Sequence, residues 1–334
     1  MRRGRVRVLA GLALLVLLGD ASPAAAQATT KLKLIFATPP TTYALPHFVA
    51  QDLGWLKQRG LEVEEVWLTG DANALRALLS GHGDIAAPGT FPTYSVVAEG
   101  GRIKAVGSWQ PMVDYVLVAR DGITTLKELA SARVAAASIG GLTTELPKML
   151  LQKHGVDVSR TAFFSVGGHE ARLQAVVGGK ADAALVGLLY AAHGQRLAKL
   201  NVVANLAQEF PGLGYSYLVV NEKDLASPDK RRALETYVRA AVVEASRFIM
   251  KDPDRAAEVM HKRTPSVELD LIKEVVRALN RGKVWGVNGG IQPEITTFTA
   301  RLAVSLKSAS REVKAEELLD RSLVERVLAE LGSN

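Results

Sequence analysis

The sequence contains no cysteine, and this absence removes several classes of function at once. Without thiols the chain can form no disulfide, no cysteine-ligated metal site and no thiol redox centre. The six histidines do not recur at the spacing of metal ligands; they are His47, His82, His154, His169, His193 and His261. His169-Glu170 begins like a zinc-protease helix, but Leu173 stands where the second histidine is needed. We therefore expect no metal site.

Other catalytic signatures are missing as well. The glycine pair before Thr143 is not followed by the Gly-Lys-Ser/Thr of a phosphate-binding loop, and Lys148 comes too late along the chain. No Gly-x-Ser-x-Gly elbow stands at the end of a strand. These absences predict that the protein is not an enzyme and needs no cofactor.

Apolar runs long enough to span a membrane are absent too. The run Val8–Leu18 has about half of the roughly 20 residues that a spanning helix needs. Four arginines precede it, and the small-x-small sequence Ala26-Gln27-Ala28 follows it. This order is typical of a secretory signal peptide. We predict that residues 1–28 are removed, that cleavage occurs near Ala28, and that the soluble mature protein is periplasmic.

An excess of one charge is also lacking once the signal peptide is set aside. The whole chain has a formal charge of +7, of which residues 1–28 contribute +3, so the mature chain carries +4. The charges are scattered, and the short cluster Lys230-Arg231-Arg232 is typical of a solvated helix face. A nucleic-acid partner is therefore not expected, because such proteins concentrate their basic residues in a patch.

What the sequence does contain is an alternation of short strands with amphipathic helices. Strand patterns cover 32–37, 61–68, 84–88 and 103–109, and helix patterns cover 44–58 and 71–81. Leu75, Leu78 and Leu79 would share one helix face, Asp71 is a plausible N-cap, and Trp67 is expected in the core. Such alternation predicts an α/β fold with parallel sheets.

The alternation is repeated within the chain. Residues 74–87 align with 172–185 at a constant offset of 98, which pairs Gly81 with Gly179 and Asp84 with Asp182. The segment 44–49 similarly resembles 145–150, including a Leu-Pro pair. Two lobes of similar construction would explain the repeat. The alternative is that two unrelated helix-turn-strand units have similar sequences because they obey the same local rules.

The repeat predicts a two-lobed layout joined by a hinge. Residues 29–113 would begin lobe 1, 114–120 would form a hinge strand, and 121–212 would form lobe 2. Residues 213–334 would return through a second crossing strand and complete lobe 1 with C-terminal helices. Two crossings permit closure of the lobes over a central cleft.

This plan resembles the periplasmic substrate-binding proteins of ABC importers, of the nitrate/sulfonate/taurine type and its thiamine-pyrimidine-precursor relatives. The resemblance is carried, in this order, by "PHFVAQDLGWLKQRGLEVE" (46–64), "ALRALLSGHGDIAAPGT" (74–90), "GGRIKAVGSW" (100–109) and "GGHEARLQAVVGGKADAAL" (167–185). It implies a type II periplasmic-binding fold, a ligand held between the lobes, and delivery to a membrane permease that works with an ATPase. A monomer is expected.

Candidate ligand-binding residues are those that follow each strand, because ligands of open α/β sheets sit beyond the strand carboxyl ends. Glycine allows close backbone approach, threonine hydroxyls donate and accept, and helix N-termini favour anions. The candidates are Thr41, Thr42, Tyr43, Gly89, Thr90, Trp109, Gly141, Thr143, Thr144, Gly168, His169 and Gly187. Helix capping or core packing is the alternative role for each.

The ligand itself is left open at this stage. No lysine or arginine directly follows a cleft strand, unless Arg172 reaches in, so an anion would rely on hydroxyls and backbone N–H groups. The aromatic residues would favour a small organic ligand, such as a sulfonate, an aromatic acid or a pyrimidine, over bare nitrate. A sensor that presents its ligand to a membrane receptor is the main alternative function, and a pyrimidine-precursor enzyme is a more distant one.

Overall fold

The computed structural model describes residues 29–137, 139 and 141–334, so the predicted signal peptide lies outside the described residues. The strands are β1 (Thr30–Phe36), β2 (Leu61–Trp67), β3 (Ile85–Ala87), β4 (Ile103–Gly107), β5 (Tyr115–Arg120), β6 (Arg133–Ala136), β7 (Ala162–Ser165), β8 (Ala183–Gly187), β9 (Leu200–Asn205) and β10 (Leu218–Asn221).

Helices outnumber the strands. They are α1 (Leu45–Asp52), α2 (Trp55–Gln58), α3 (Asp71–Leu79), α4 (Thr90–Ala98), α5 (Leu142–Lys153), α6 (His169–Val177), α7 (Leu188–Leu197), α8 (Leu206–Glu209), α9 (Glu222–Ala226), α10 (Pro228–Val238), α11 (Ala245–Lys251), α12 (Pro253–Arg263), α13 (Leu269–Arg281), α14 (Pro293–Ser305), α15 (Ala315–Leu318) and α16 (Ser322–Leu331). Short 3₁₀ turns cover Thr42–Ala44 and Leu126–Leu129, and a π-helical stretch, Arg239–Glu244, joins α10 to α11.

The strands form two five-stranded sheets built on one plan. The first sheet has the order β2-β1-β3-β10-β4, and the second has the order β7-β6-β8-β5-β9. In the first, β1 runs parallel to β2 and β3, whereas β10 is antiparallel to β3 and β4. In the second, β6 runs parallel to β7 and β8, whereas β5 is antiparallel to β8 and β9. We call each sheet with its helices a lobe.

The internal repeat predicted from the sequence is confirmed. Helices α3 and α6 begin and end 98 residues apart, and strands β3 and β8 follow them at the same offset. Asp84 and Asp182 make equivalent hydrogen bonds in the two lobes. Each carboxylate accepts a backbone N–H from the neighbouring strand, that of Lys33 at 2.7 Å and that of Arg133 at 2.8 Å. The repeat is therefore one of hydrogen bonding as well as of shape.

Two linking segments, 108–114 and 210–217, connect the lobes and run side by side, bridged at Met112 and Gly214. The predicted hinge strand 114–120 lies inside the second sheet as β5. It does so because its residues pair with β8 on one side and with β9 on the other. The segments that join the lobes are thus the stretches before β5 and before β10.

The predicted helix over 44–58 is divided in two. α1 ends at Asp52 and α2 begins at Trp55, because Gly54 between them adopts a φ of 74°. A left-handed backbone ends an α-helix, and glycine adopts it without steric cost.

Trp67 was predicted to lie in the core and Leu79 to share a helix face with Leu75 and Leu78, but both side chains are exposed. Trp67 is 38% exposed, because it ends β2, which lies at the edge of its sheet, and it rests one face on Phe36 at 4.0 Å between ring centroids. Leu79 is 41% exposed, because it ends α3 one residue beyond Leu78, whose side chain takes the buried face. Edge strands and helix ends have fewer neighbours to cover a side chain.

The C-terminal helices complete the first lobe. α13 is strongly amphipathic, with its buried residues on one face, namely Leu271, Ile272, Val275, Val276 and Leu279. α10 and α16 pack on each other, and α16 also packs on β4. Within the described ranges, none of the helices has both the length and the apolar character that a membrane crossing requires.

Candidate ligand-binding site

A row of aromatic rings crosses from one lobe to the other. Successive ring centroids lie 5.8, 5.8, 5.2, 5.5 and 5.2 Å apart. We call this the aromatic row; in order, it consists of Trp109, Tyr43, Tyr215, Tyr115, His169 and Tyr190. The row begins on loops of the first lobe, passes the linking segments, and ends on α6 and α7 of the second lobe. It therefore marks the cleft between the lobes.

Polar atoms without partners are buried at the first-lobe end of the row. Tyr43 is 4% exposed and Trp109 is 1% exposed, yet neither the Tyr43 hydroxyl nor the Trp109 Nε1–H has a hydrogen bond of normal geometry to any residue that the structure describes. Burial raises the pKa of Tyr43 well above its usual value, and the Thr38 side chain opposes the rise. A buried donor without an acceptor costs free energy, so these atoms suit a bound molecule.

Arg172 supplies a buried positive charge at the other end. Its side chain comes from the first turn of α6 and is fully buried. Nε donates to the Leu185 carbonyl at 2.8 Å and Nη1 to the Gly167 carbonyl at 2.7 Å, whereas Nη2 is buried without a partner in the described part of the chain. Burial lowers the pKa of Arg172, and Tyr115 and Tyr215 oppose this effect. The guanidinium stays charged and has one donor group unused.

His169 stands one helical turn before Arg172 and is held as a neutral ring. Its Nδ1 accepts the backbone N–H of Gly187 at 2.9 Å, so Nε2 carries the ring proton. Burial, with the nearby Arg172 charge, lowers the pKa of His169 well below its usual value. His169 therefore offers a hydrogen-bond donor without adding a second positive charge.

Acceptors gather on the linking segment 108–114. Asp114 is buried, and its Oδ2 accepts two long hydrogen bonds of 3.4 Å, one from the Thr42 hydroxyl and one from the Leu188 N–H. Burial raises the pKa of Asp114, although the Gln110 side chain opposes the rise. Gln110 is wholly buried and donates to the Met112 carbonyl, but its Oε1 has no partner. Within the described part of the chain, Gln110 Oε1 is therefore an acceptor left without a donor on this side of the cleft.

Gly187 allows the two sides to approach each other. A Cβ built there would lie 3.3 Å from the His169 ring and 3.4 Å from Asp114 Oδ2. Its φ of −67° suits any residue, so space rather than backbone conformation favours glycine here. Among the predicted residues, Tyr43, Trp109, His169 and Gly187 thus come together at the row, and Thr42 reaches it through Asp114.

Several other predicted residues have bonds within their own lobe. The Thr90 hydroxyl donates to the Gly214 carbonyl at 3.0 Å and so ties α4 to a linking segment. The Thr143 hydroxyl accepts the Ala137 N–H at 2.8 Å, which fixes the turn before α5. Gly89, Gly141 and Gly168 are N-cap residues of α4, α5 and α6, whereas Thr41 caps the 3₁₀ turn and Thr144 is buried in α5. Their contact with a ligand stays a prediction.

Sequence reasoning missed most of the charged and phenolic groups at the site. Arg172 was the stated exception to the lack of basic residues, and it does reach the row. Its spacing of three from His169 places both on one helix face, which was the available signal. Asp114, Gln110, Tyr115 and Tyr215 belong to the linking segments or adjoin them, and nothing in their local pattern separates them from ordinary strand ends.

The lobes touch on both sides of the row. α7 of the second lobe packs against α13 of the first, where Arg196 and Glu274 approach to 3.8 Å. On the other side, residues 145–152 of α5 face residues 305–307 at the end of α14 across a shallow crevice. Together with the burial of the cleft residues, these contacts describe a closed arrangement of the lobes.

Comparison with known proteins gives a family match for most of the chain. The family described as NMT1/THI5 like matches residues 41–256. No curated protein matches the sequence.

Solved structures show the fold. The chain is similar to the periplasmic nitrate-binding protein NrtA from Synechocystis PCC 6803, with a TM-score of 0.73, 15% identity, and coverage of 92% of this chain and 90% of that one. It is similar to the periplasmic aliphatic sulphonate-binding protein SsuA from Escherichia coli, with a TM-score of 0.67, 15% identity, and coverage of 87% and 92%.

A third similar structure is the ligand-binding component of an ABC-type import system from Staphylococcus aureus, with a TM-score of 0.69, 16% identity, and coverage of 89% and 98%. The fold is therefore the type II periplasmic-binding fold, as the resemblance implied.

Proposed function

The chain belongs to the NMT1/THI5-like family, and from this premise we propose that it is the solute-binding component of an ABC-type importer. In this role it captures a small organic or anionic molecule between its lobes and delivers it to a membrane permease. Proteins of the same fold that bind nitrate or aliphatic sulphonates support the proposal.

One observation carries the proposal, namely that unpartnered polar atoms converge on the cleft. Among the described residues, the Tyr43 hydroxyl, Trp109 Nε1, Gln110 Oε1 and Arg172 Nη2 are all buried without hydrogen bonds. Buried polar groups in folded proteins are normally satisfied, so four exceptions around one row of rings call for a ligand that satisfies them. Aromatic faces and a few convergent polar groups are also what small-molecule sites usually present.

The mechanism that we propose is capture by closure. The linking segments act as the hinge, and the open form exposes the aromatic row to solvent. A ligand bound to both lobes bridges Tyr43 and Arg172, and burying it adds contacts that exist only in the closed form. Ligand drives closure only to the extent that it binds the closed form more tightly than the open form.

We propose binding without catalysis. His169 is the one histidine in the aromatic row, and its Nδ1 is bonded to a backbone N–H rather than to a nucleophile or a carboxylate. A general base needs its acceptor nitrogen free and within reach of the proton that it takes. Arg172 and the phenols, in turn, are groups that hold and orient a molecule.

Export and partner follow from the same proposal. Residues 1–28, with their arginines, short apolar run and small-residue cleavage site, would direct the chain to the periplasm. There it acts as a monomer and docks in its closed form on a permease, which works together with an ATPase.

A thermal-shift screen of the mature chain, residues 29–334, tests the proposal. The library contains small anions, aliphatic sulphonates, aromatic acids, amino acids and pyrimidines. A ligand at a hundred times its Kd stabilises the folded chain by about 2.7 kcal/mol, so a true ligand raises Tm by several degrees. The Arg160→Gln variant, which removes an exposed arginine from the loop between α5 and β7, should give the same shift. If no compound raises Tm, the proposal fails.

A further inference from the structure

The two sides of the cleft carry opposite chemistry. The second lobe presents donors and positive charge, through Arg172 and the neutral His169. The first lobe and the linking segment 108–114 present carboxyl and amide oxygens, through Asp71, Asp114 and Gln110. This division is visible in positions that the internal repeat makes equivalent, since Asp71 and His169 are the first residues of α3 and α6.

The charges on the two sides do not neutralise each other directly. Among the described residues, Arg172 has no carboxylate within 4 Å, and Asp114 has no basic group within that distance. Arg172 is satisfied in part by two neutral carbonyls. Asp114 accepts two bonds of 3.4 Å, which are too long to be strong, and the Gln110 side chain is its other polar neighbour. A buried charge without a close partner is costly.

The unpartnered atoms have matching polarity. On the second-lobe side the unused atom is a donor, Arg172 Nη2. On the linking-segment side the unused atom is an acceptor, Gln110 Oε1, next to the poorly satisfied Asp114. Both side chains are at least 98% buried, so each points to an occupant inside the protein rather than to solvent.

We propose, on the basis of the proposed function, that the solute is amphoteric. Its anionic group, a carboxylate or another oxyanion, binds Arg172 Nη2 and His169 Nε2–H, and its ammonium or amino group binds Asp114 and Gln110 Oε1. The aromatic row holds the carbon skeleton between these two ends. A simple acid would leave Gln110 Oε1 without a donor and Asp114 with only weak ones, and a simple amine would leave Arg172 without an anion.

Isothermal titration of the unmodified mature chain at pH 7.5 tests the inference by varying the ligand. The amphoteric probes are glycine, β-alanine, 4-aminobutyrate and 4-(aminomethyl)benzoate, which differ in the separation of their charges. Each is compared with an acid that lacks the amine, and with an amine that lacks the acid. The tightest binder from the thermal-shift screen is likewise compared with analogues that lack its amino group or its acid group. The best amphoteric compound should bind at least about tenfold more tightly than either of its parents, because each charged hydrogen bond contributes more than 1.4 kcal/mol.

Two substitutions then assign the two ends. Arg172→Gln should remove the affinity that the acid group adds, and Asp114→Asn should remove most of the affinity that the amine adds while leaving the parent acid within about threefold. Arg160→Gln serves as the control for loss of a lobe-2 arginine, and Tm in the absence of ligand shows that each variant is folded. The ligand comparison uses the unmodified chain, so its outcome does not depend on the variants.

The outcomes separate this inference from the proposed function. Binding of an acid as tightly as its amino derivative, or an unchanged amine contribution in folded Asp114→Asn, overturns the amphoteric ligand while solute binding stands. A screen in which nothing binds overturns both. An amphoteric compound that loses affinity when either group is removed supports both.

Discussion

Asp71 and His169 occupy equivalent positions in the two lobes and make the same hydrogen bond with different chemistry. Each is the first residue of its helix, and each accepts the backbone N–H of the glycine 18 residues later, at 2.8 Å from Gly89 and at 2.9 Å from Gly187. The bond joins the starts of consecutive helices around the cleft in each lobe. One architectural contact is thus made by a carboxylate in the first lobe and by an imidazole in the second.

The cleft is polar in part because the first lobe has the Asp71 carboxyl group where the second lobe has the His169 imidazole. Burial raises the pKa of Asp71 and lowers that of His169, so burial favours the neutral form of both groups. Arg172 adds a charge to the second lobe at a position where the repeat places Ala74 in the first. The lobes therefore differ most at the residues that face each other, while their shared framework stays the same.

The first prediction concerns space at Gly187. In Gly187→Ala the new methyl group would press on His169 and on Asp114, which are the groups assigned to opposite ends of the solute. We expect a loss of about 1 kcal/mol in the free energy of unfolding and a loss of at least about tenfold in ligand affinity. Urea unfolding and titration with the screened ligand measure the two effects.

The symmetric substitution Gly89→Ala is the stability control. A Cβ at Gly89 would lie 3.7 Å from Asp71, which is an ordinary contact, and its φ of −64° is equally permissive. We expect its unfolding free energy to stay within about 0.5 kcal/mol of the unmodified chain. Equal destabilisation by the two substitutions would contradict the crowding that we infer at Gly187.

The second prediction concerns the unpartnered hydroxyl of Tyr43. Tyr43→Phe removes a buried group that has no hydrogen bond, so stability should be unchanged or should rise by up to about 1 kcal/mol. Ligand affinity should fall about tenfold if the hydroxyl bonds to the solute.

Tyr94 provides the matched comparison for Tyr43, because it is equally buried but its hydroxyl is bonded to Tyr217 and to the Thr296 carbonyl. Tyr94→Phe should cost about 1–2 kcal/mol of stability and leave affinity unchanged. If Tyr43→Phe destabilises the chain as much as Tyr94→Phe does, the hydroxyl is structural.

The strands and helices of the two lobes could be predicted from the sequence because short local patterns mark them. The 98-residue offset, the glycine after each helix and the aspartate before each buried strand are short patterns, and their physical causes lie within about 20 residues. Asp84 and Asp182 stand in such a pattern, although the backbone N–H groups that they accept lie 51 and 49 residues away on the neighbouring strands. Such features repeat wherever the same turn and strand occur.

The site was harder to predict, because it depends on segments that are distant in the sequence. Tyr115 and Tyr215 approach to 3.5 Å between hydroxyls although 100 residues separate them, and Asp114 meets Thr42 across 72 residues. No periodicity links such pairs. A single chain can therefore indicate which loops reach the cleft, but not which charges meet there.

The third prediction concerns the two equivalent aspartates. Asp182 bonds to the Arg133 and Arg120 side chains, and the Arg133 contact above all holds its pKa well below the usual range. Asp84 has one basic partner among the residues that the structure describes, namely Lys230. Asp182→Asn should therefore cost about 2 kcal/mol at pH 7, and Asp84→Asn about half as much.

The pH dependence of the Asp182 contribution has a definite sign. Its folded pKa is depressed, so the stabilisation is complete above the unfolded pKa of about 3.9 and is lost as pH falls towards the folded value. The difference between unmodified protein and Asp182→Asn should shrink below pH 4 in urea titrations. A difference that grows on acidification would show that the pairing contributes nothing.

The last prediction uses the buried histidines. Burial lowers the pKa of His169 and of His47, whose Nε2 contacts Glu65 at 3.2 Å and whose Nδ1 contacts the Tyr237 hydroxyl at 3.0 Å. In the unfolded chain both regain a pKa near 6.5 and take up protons below it, whereas the folded chain does not. Stability should therefore be constant above about pH 7 and should fall below pH 6.5, by up to about 1.4 kcal/mol per pH unit for each histidine.

His169→Asn separates the two contributions, because the asparagine oxygen can still accept the Gly187 N–H while the titrating ring is removed. We expect this variant to lose about half of the slope between pH 6.5 and 5, as measured by urea unfolding at half-unit pH intervals. His82→Asn, at an exposed position, should leave the slope unchanged. A slope that survives in His169→Asn at full size would mean that His169 is protonated in the folded protein, and the second lobe would then present two positive charges to the solute instead of one.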